Sequence, residues 1–353
     1  MRTAASRLHK GFSFERRLAA CESAFEREGA RWAGSWRFWA PSAGAASGER
    51  AQLASAGEAL GEADGEHAQL AGEAAGCEGA QLAGAAPVFS GRAARAIRDV
   101  DVLSSGPVAT SPERTKREEP YDKVVLDLGC GKGEYTVACA KLRPEMLFVG
   151  IDVDPVCVLR GAEEAVREGV PNAVFIHDPN PDLAVYFGPG ELSAILMNFP
   201  TPFPKKKKAP LRLTYADRLM AYRALLAPGA PVRLRTDSQP FRDFSLTQLE
   251  IAGYELQWSS DEVRKLYPDE PESAYERKLV AKGAPVLGFS AVCGAAPARV
   301  EQTAPLSLIS YLPADLDELT YVPHGMQGTV ENMRARNANR RAKGEGDWRP
   351  PAV

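Results

Sequence analysis

The chain has 353 residues, is 44% hydrophobic and carries a formal net charge of -3, enough material for one large or two ordinary domains with a full core. It holds no apolar run near the roughly 18 residues that a membrane span needs and opens without the apolar core of a signal peptide, so a cytoplasmic protein with no membrane partner is expected. Its six cysteines (Cys21, Cys77, Cys130, Cys139, Cys157, Cys293) make no C-x-x-C pair and its four histidines (His9, His67, His177, His324) are scattered, which argues against a metal site or a disulfide framework and for buried free thiols.

In chain order, residues 1–40 form a basic, tryptophan-rich segment in which Trp32, Trp36 and Trp39 recur at helical spacing among Arg27, Arg31 and Arg37. A helix docking its aromatic face on a core is the preferred reading; an aromatic and basic RNA platform is the other. Residues 41–118 read as a low-complexity, disordered linker. Between residues 41 and 90 seven acids (Glu49, Glu58, Glu62, Asp64, Glu66, Glu73, Glu78) face Arg50 alone, and AQLA recurs at Ala51, Ala68 and Ala80 with irregular spacing. Such a stretch has too few aromatic and β-branched residues to offset the entropy of ordering. The rest of the chain is therefore net positive.

From residue 119 to 290 strand and helix patterns alternate, which predicts a doubly wound α/β sheet. Val124, Val125, Leu126 and Leu128 make a buried strand. Gly129, Gly131 and Gly133 follow at once, and Tyr135, Val137, Ala138 and Leu142 then recur at helical period. The spacing is G-x-G-x-G, neither the dinucleotide fingerprint nor a phosphate loop. Asp127 before the glycines and Glu134 after them would repel a polyphosphate and favour a cation. S-adenosylmethionine carries both an ammonium and a sulfonium and suits this loop. The next strand, MLFVGID, ends in Asp152, about 20 residues on, where a carboxylate can accept from ribose hydroxyls.

A helix over residues 155–168, a strand AVFIH, a strand SAILMN, a helix over 215–226, a strand PVRLRTD and a helix over 241–252 follow. YELQWS and AYERKLVAK are expected to pair as the closing strands. Asp127, Asp152, Asp178, Asn198 and Asp237 all fall at carboxyl ends of strands, where sheets of this kind bind ligands. Residues 291–353 form a C-terminal extension, with a helix expected over residues 326–343 that ends in Arg334, Arg336, Arg340, Arg341 and Lys343. Cations there complement the helix dipole; an arm gripping RNA is the alternative.

Three further strings carry a resemblance: NFPTPFPKKKK followed by RLT, RTDSQPF, and SAYERKLVAKG. In order and spacing they resemble the motifs of the bacterial tRNA (guanine-N7)-methyltransferases, over about residues 120 to 290. The resemblance implies a class I methyltransferase, a Rossmann-like seven-stranded doubly wound sheet, that uses S-adenosylmethionine to methylate N7 of the variable-loop guanine 46 of tRNA. Carried over by residue, Asp127, Gly129, Gly131, Asp152, Asp178 and Asn198 would hold the cofactor. Lys205, Asp237, Ser273, Tyr275 and Glu276 would meet the guanine, and Lys206, Lys207, Lys208 and Arg212 would lie along the RNA. The oligomeric state, with a monomer allowed, is not legible.

One position departs from the family pattern. The usual N-F-P-D-P-W-P-K has an aspartate where this chain has Thr201, and a tryptophan where it has Phe203. Guanine N7 has a free lone pair and no proton, so the reaction needs positioning more than a general base. Asp237 and Glu276 are expected to supply the negative field for the charge that develops on the base, with Thr201 in a positioning role. Between Ile195 and Ser245, ten basic residues (Lys205, Lys206, Lys207, Lys208, Arg212, Arg218, Arg223, Arg233, Arg235, Arg242) face Asp217, Asp237 and Asp243, a patch suited to phosphates. Two rivals stay open: a tRNA-binding relative that transfers no methyl group, suggested by Thr201, and a methyltransferase acting on a small molecule.

Overall fold

The computed structural model describes residues 14–41, 116–179, 182–313, 315–317, 319, 321–323 and 325–348. The expected linker therefore lies outside the described residues over 42–115, as do His9, His67, Cys77 and His324. Among the described residues no helix is long and apolar enough to cross a membrane, and the five cysteines there are free.

Seven strands form one sheet in the order β3-β2-β1-β4-β5-β7-β6. They are β1 Lys123–Leu128, β2 Met146–Asp152, β3 Ala173–His177, β4 Ala194–Asn198, β5 Pro231–Thr236, β6 Tyr254–Ser260 and β7 Leu287–Cys293. The pairings β1/β2, β2/β3, β1/β4 and β4/β5 are parallel, while β7 runs antiparallel to both β5 and β6. Strand β1 is buried at every position after Lys123, as a central strand covered on both faces must be.

Local chemistry sets the helix bounds. The helix Pro155–Glu168 matches its expected span: the Asp154 side chain accepts from Val156 N and Cys157 N, proline opens the first turn, and Gly169 closes it at φ 65°, each a strong boundary signal. The helix Gln239–Ile251 begins two residues earlier than expected because Ser238 caps it and Pro240 fits its first turn. The helix Ala216–Arg223 stops short of residue 226. Leu225 and Ala227 leave it to exchange backbone bonds with Leu192, 2.8 Å each.

One element differs in kind. Residues 274–282, expected as a closing strand, begin with the helix Ala274–Val280, and the strand that pairs with β6 is β7. Ser273 is the N-cap, its hydroxyl accepting from Glu276 N at 3.1 Å. Ser273 and Glu276 have the S-x-x-E spacing of a capping box, and Gly283 ends the turn at φ 82°. Strand β7 runs past residue 290, so the sheet continues into the segment expected as a C-terminal extension.

Both outer segments pack on the sheet. Trp32, Trp36 and Trp39 lie in one core cluster with β1, β2, β4 and β5 side chains. Their indoles are buried, so they offer no stacking platform to RNA. Trp32 and Trp36 sit on two 3-10 turns, Gly29–Trp32 and Trp36–Phe38, and Trp39 is the extended residue that follows, rather than all three lying on one continuous helix. Trp36 Nε1 donates to Tyr186 O at 2.7 Å and Trp32 Nε1 to Glu26 Oε2 at 3.0 Å. Glu26 N donates to Phe175 O at 2.9 Å, so this segment also covers the outer edge of β3. The C-terminal helix Gln327–Ala342 buries Val330 and Met333 in the same cluster. Its arginines are engaged locally: Arg341 pairs with Asp347 at 2.6 Å, Arg340 with Glu345 at 2.9 Å, and Arg336 lies over the Trp348 ring at 4.1 Å.

Candidate active site

The parallel strands place their carboxyl ends side by side, and the expected acids gather there. Asp127 on β1 is buried; its Oδ2 accepts from Thr136 Oγ1 at 2.6 Å and its Oδ1 from Asn198 Nδ2 at 3.3 Å. Burial pushes its carboxyl up to about 6, against the pull of those two donors. Asp152, at the end of β2, accepts from Gly131 N and from Asp154 N, both at 2.9 Å, and burial raises its pKa as well. Asp178, one residue past β3, accepts from Tyr186 O–H at 2.6 Å.

The glycine loop explains itself by two close contacts. A Cβ on Gly133 would lie 2.5 Å from the Phe175 ring and 2.6 Å from Gly161 Cα, so this glycine lets the loop and its helix sit tight on the sheet. A Cβ on Gly131, at φ 54°, would meet nothing within 4 Å. Gly131 thus faces open space beside Asp127 and Asp152, neither of which is in an ion pair among the described residues. Open backbone flanked by two carboxylates fits an ammonium and a ribose better than a phosphate.

The loop expected to face the substrate follows β4. Phe199 and Phe203 take φ 49° and 44°, conformations that bulky residues adopt at a cost on the order of 1–3 kcal/mol each. Phe199 N donates to Arg235 O at 2.7 Å, and its ring meets the edge of Tyr275 at 5.9 Å. Thr201 is exposed at the crest, and Lys205, Lys206 and Lys207 are exposed beyond it, with Lys208 half-buried over the Phe203 ring at 5.9 Å. Lys205, Lys206, Lys207, Pro210 and Leu306 line an open cavity of about 620 Å³.

Arg212, expected along the RNA, is instead fully buried. Its guanidinium donates to the carbonyls of Pro202 at 3.0 Å, Leu306 at 2.8 Å, Phe203 at 2.7 Å and Pro204 at 3.4 Å, and stacks on Phe244 at 4.2 Å. Burial lowers its pKa to about 10, which still leaves it charged at neutral pH. Other members of the expected basic patch also turn inward. Arg223 donates to the carbonyls of Ala252, Gly253 and Gly294, Arg233 pairs with Glu270 at 2.8 Å, and Arg242 pairs with Asp243 and Asp261. The exposed cations of the loop are the lysines.

Beyond β5, Asp237 is buried and its Oδ2 accepts from Tyr321 O–H at 2.6 Å. Tyr275 is close enough that the Asp237 charge adds to burial in raising its phenol pKa. Glu276, expected to face the guanine, points elsewhere: Oε1 accepts from Arg235 Nη2 at 2.6 Å and from Arg264 Nε and Nη2 at 2.5 Å each. Burial raises its pKa more than the two guanidiniums lower it. The structure thus brings Asp237 and Tyr275 together, with the Tyr275 ring against Phe199, and assigns Glu276 to an internal ion cluster. Ser273 supplies the cap of the helix that carries Tyr275. Glu134, expected to bias the loop toward cations, accepts from Ala274 N at 2.5 Å and ties the glycine-loop helix to that turn. Sequence reasoning missed Tyr186, eight residues from the Asp178 it holds, because a lone tyrosine at that spacing makes no motif, and Tyr321, because its contact with Asp237 spans 84 residues.

A sheet with one antiparallel strand in the order 3-2-1-4-5-7-6, a glycine loop after β1 and acids at the next strand ends define a class I methyltransferase. A family profile described as "Putative methyltransferase" matches residues 121–288. The tRNA (guanine-N(7)-)-methyltransferase of Pediococcus pentosaceus is 30% identical over 181 residues, 51% of this chain and 84% of that protein. Those of Geobacillus kaustophilus (33% over 168 residues; 47% of this chain, 77% of the relative) and Christiangramia forsetii (34% over 168 residues; 46% and 75%) are similar. The chain belongs to the tRNA (guanine-N(7)-)-methyltransferase family.

Proposed function

We propose that this protein methylates N7 of guanine 46 in the variable loop of tRNA, and that one observation carries the reading: an acidic cofactor cradle, reached by Asn198 at the end of β4, lies beside a loop that presents Thr201 and three exposed lysines. S-adenosylmethionine would supply an electrophilic methyl group on its sulfonium. Asp127 would hold the ammonium, with Asn198 fixing the carboxylate from the other side. Asp152 would accept from the ribose hydroxyls, and Asp178, set by Tyr186, would meet the far end of the cofactor. The N7 lone pair attacks without losing a proton, so the chain's task is to hold N7 about 3 Å from the methyl in line with the bond that breaks. Asp237 supplies negative charge beside a base that becomes cationic. Thr201 contributes a neutral hydrogen bond.

The test is mass spectrometry of tRNA nucleosides after incubation with isotopically labelled cofactor. Wild-type protein is expected to form 7-methylguanosine, and a transcript with adenosine at position 46 to receive no label. Thr201→Ala should slow the reaction no more than about tenfold, the size of a neutral hydrogen bond, and Thr201→Asp should match or exceed the wild type. A wild type that binds tRNA yet forms no product until Thr201→Asp restores it would establish a binding protein instead. Label on a small molecule, unaffected by added RNA, would establish the other rival.

The lysines carry a separate prediction. Replacing Lys206, Lys207 and Lys208 together by alanine should lower the slope of log affinity against log salt for tRNA by roughly 2, since each lost phosphate contact removes about 0.7 to 0.9. Binding curves at several salt concentrations measure it; equal slopes for the two proteins would show that the phosphates lie elsewhere.

A further inference from the structure

The described residues between 304 and 326 lie beyond the matched residues, which end at 288, yet they touch both substrate-side loops. Leu308 N donates to Pro204 O at 3.0 Å, and Leu306 O accepts from Arg212 Nη1 at 2.8 Å. On the loop after β5, Ser238 Oγ donates to Met326 Sδ at 3.5 Å and Tyr321 O–H to Asp237 Oδ2 at 2.6 Å. Described residues on either side of the phenol are anchored. Leu308, Leu312 and Leu316 before it and Met326 after it are buried in the core of the sheet. Arg334 of the C-terminal helix donates to Leu316 O from both Nε and Nη2.

Building on the reading of Asp237 as the group that meets guanine, we propose that Tyr321 is a positioning residue for the base, supplied by a segment outside the region this chain shares with the family profile. Its O–H fixes the plane of the Asp237 carboxylate. A carboxylate offers about four acceptor directions, and the phenol takes one of them, which sets the angle at which the group meets the N–H edge of a guanine. Misplacing a reacting base by about 1 Å costs on the order of a hundredfold in rate. Loss of the phenol's hydrogen bond would loosen that plane and permit such an error. The base site of this chain therefore includes Tyr321, from beyond the matched residues.

The test compares wild type, Y321F, D237N and the double variant by single-turnover methylation of tRNA, with calorimetric affinity for S-adenosylmethionine and the unfolding midpoint measured on each. Y321F keeps the ring and its packing. It is expected to lower the rate about ten- to a hundredfold, the size of a hydrogen bond to a charged group, with cofactor affinity and unfolding midpoint unchanged. In the D237N background the same change should cost less than about twofold, because the two groups act as one unit. Equal losses in both backgrounds, a Y321F that matches or outpaces the wild type, or a loss of cofactor affinity alongside the rate would each overturn the proposal. Wild-type protein that forms no 7-methylguanosine would overturn the functional reading and this one with it; active wild type with a silent Y321F would overturn this one alone.

Discussion

Glu276→Ala is expected to destabilise the protein by about 3 to 5 kcal/mol, the loss that follows when one partner of a buried ion pair is removed. Glu276 Oε1 accepts from Arg235 at 2.6 Å and Arg264 at 2.5 Å, and Arg235 is only 3% exposed. Without that carboxylate, Arg235 keeps Glu270 at 3.4 Å, a carboxylate that must also hold Arg233 at 2.8 Å. Two guanidiniums would then share one buried acid, and Arg264 would keep only Glu272 among its acids, at 3.4 Å. Glu276→Gln retains the shape and one acceptor but not the charge, so about half the loss is expected. Denaturant unfolding of both variants measures this. The family resemblance implies the opposite pattern, since a carboxylate that faces the guanine would leave Glu276→Gln as stable as the wild type and strip it of activity. Full stability with lost turnover would return Glu276 to the base site.

The difference between those two patterns shows what local sequence can and cannot convey. Asp127, Asp152, Asp178, Asn198 and Asp237 were legible because a strand end is a local feature: an apolar run stops and a polar residue follows. The same logic placed the helix Pro155–Glu168, where cap, proline and glycine all lie within the element. Residues 274–282 were misread although Ser273 and Glu276 have capping-box spacing, because a short alternating run of apolar and polar residues satisfies a strand period too. Charge was the least legible property. Ten basic residues in a row of elements suggested a surface, but a formal sum cannot reveal which arginines find buried carbonyls or acids across the fold. Lysine, a strongly hydrated point charge, stayed outside; arginine, with five donors in a fixed fork, went in. Tyr321 was invisible for the reason that makes it informative: its partner lies 84 residues away.

Arg212 gives the second large effect. Arg212→Lys is expected to cost about 2 to 4 kcal/mol of stability and to slow tRNA methylation at least about a hundredfold, while cofactor affinity stays within about twofold. The fork now satisfies carbonyls of Pro202, Phe203, Pro204 and Leu306 at once. A single ammonium can reach one or two of them. Those bonds hold a loop in which Phe199 and Phe203 both sit at positive φ, and a bulky residue leaves that region when its restraint is removed. Thr201 and Lys205 would then shift together, whereas Asp127, Gly131 and Asp152 belong to the β1 and β2 ends and would not. The charge-conserving substitution separates this role from an RNA contact. A phosphate accepts lysine nearly as well as arginine as a point charge, so an Arg212 that lay along the RNA would yield a variant with native stability, tRNA affinity and salt dependence. An Arg212 that builds the loop yields a less stable protein that binds its cofactor and fails to use it.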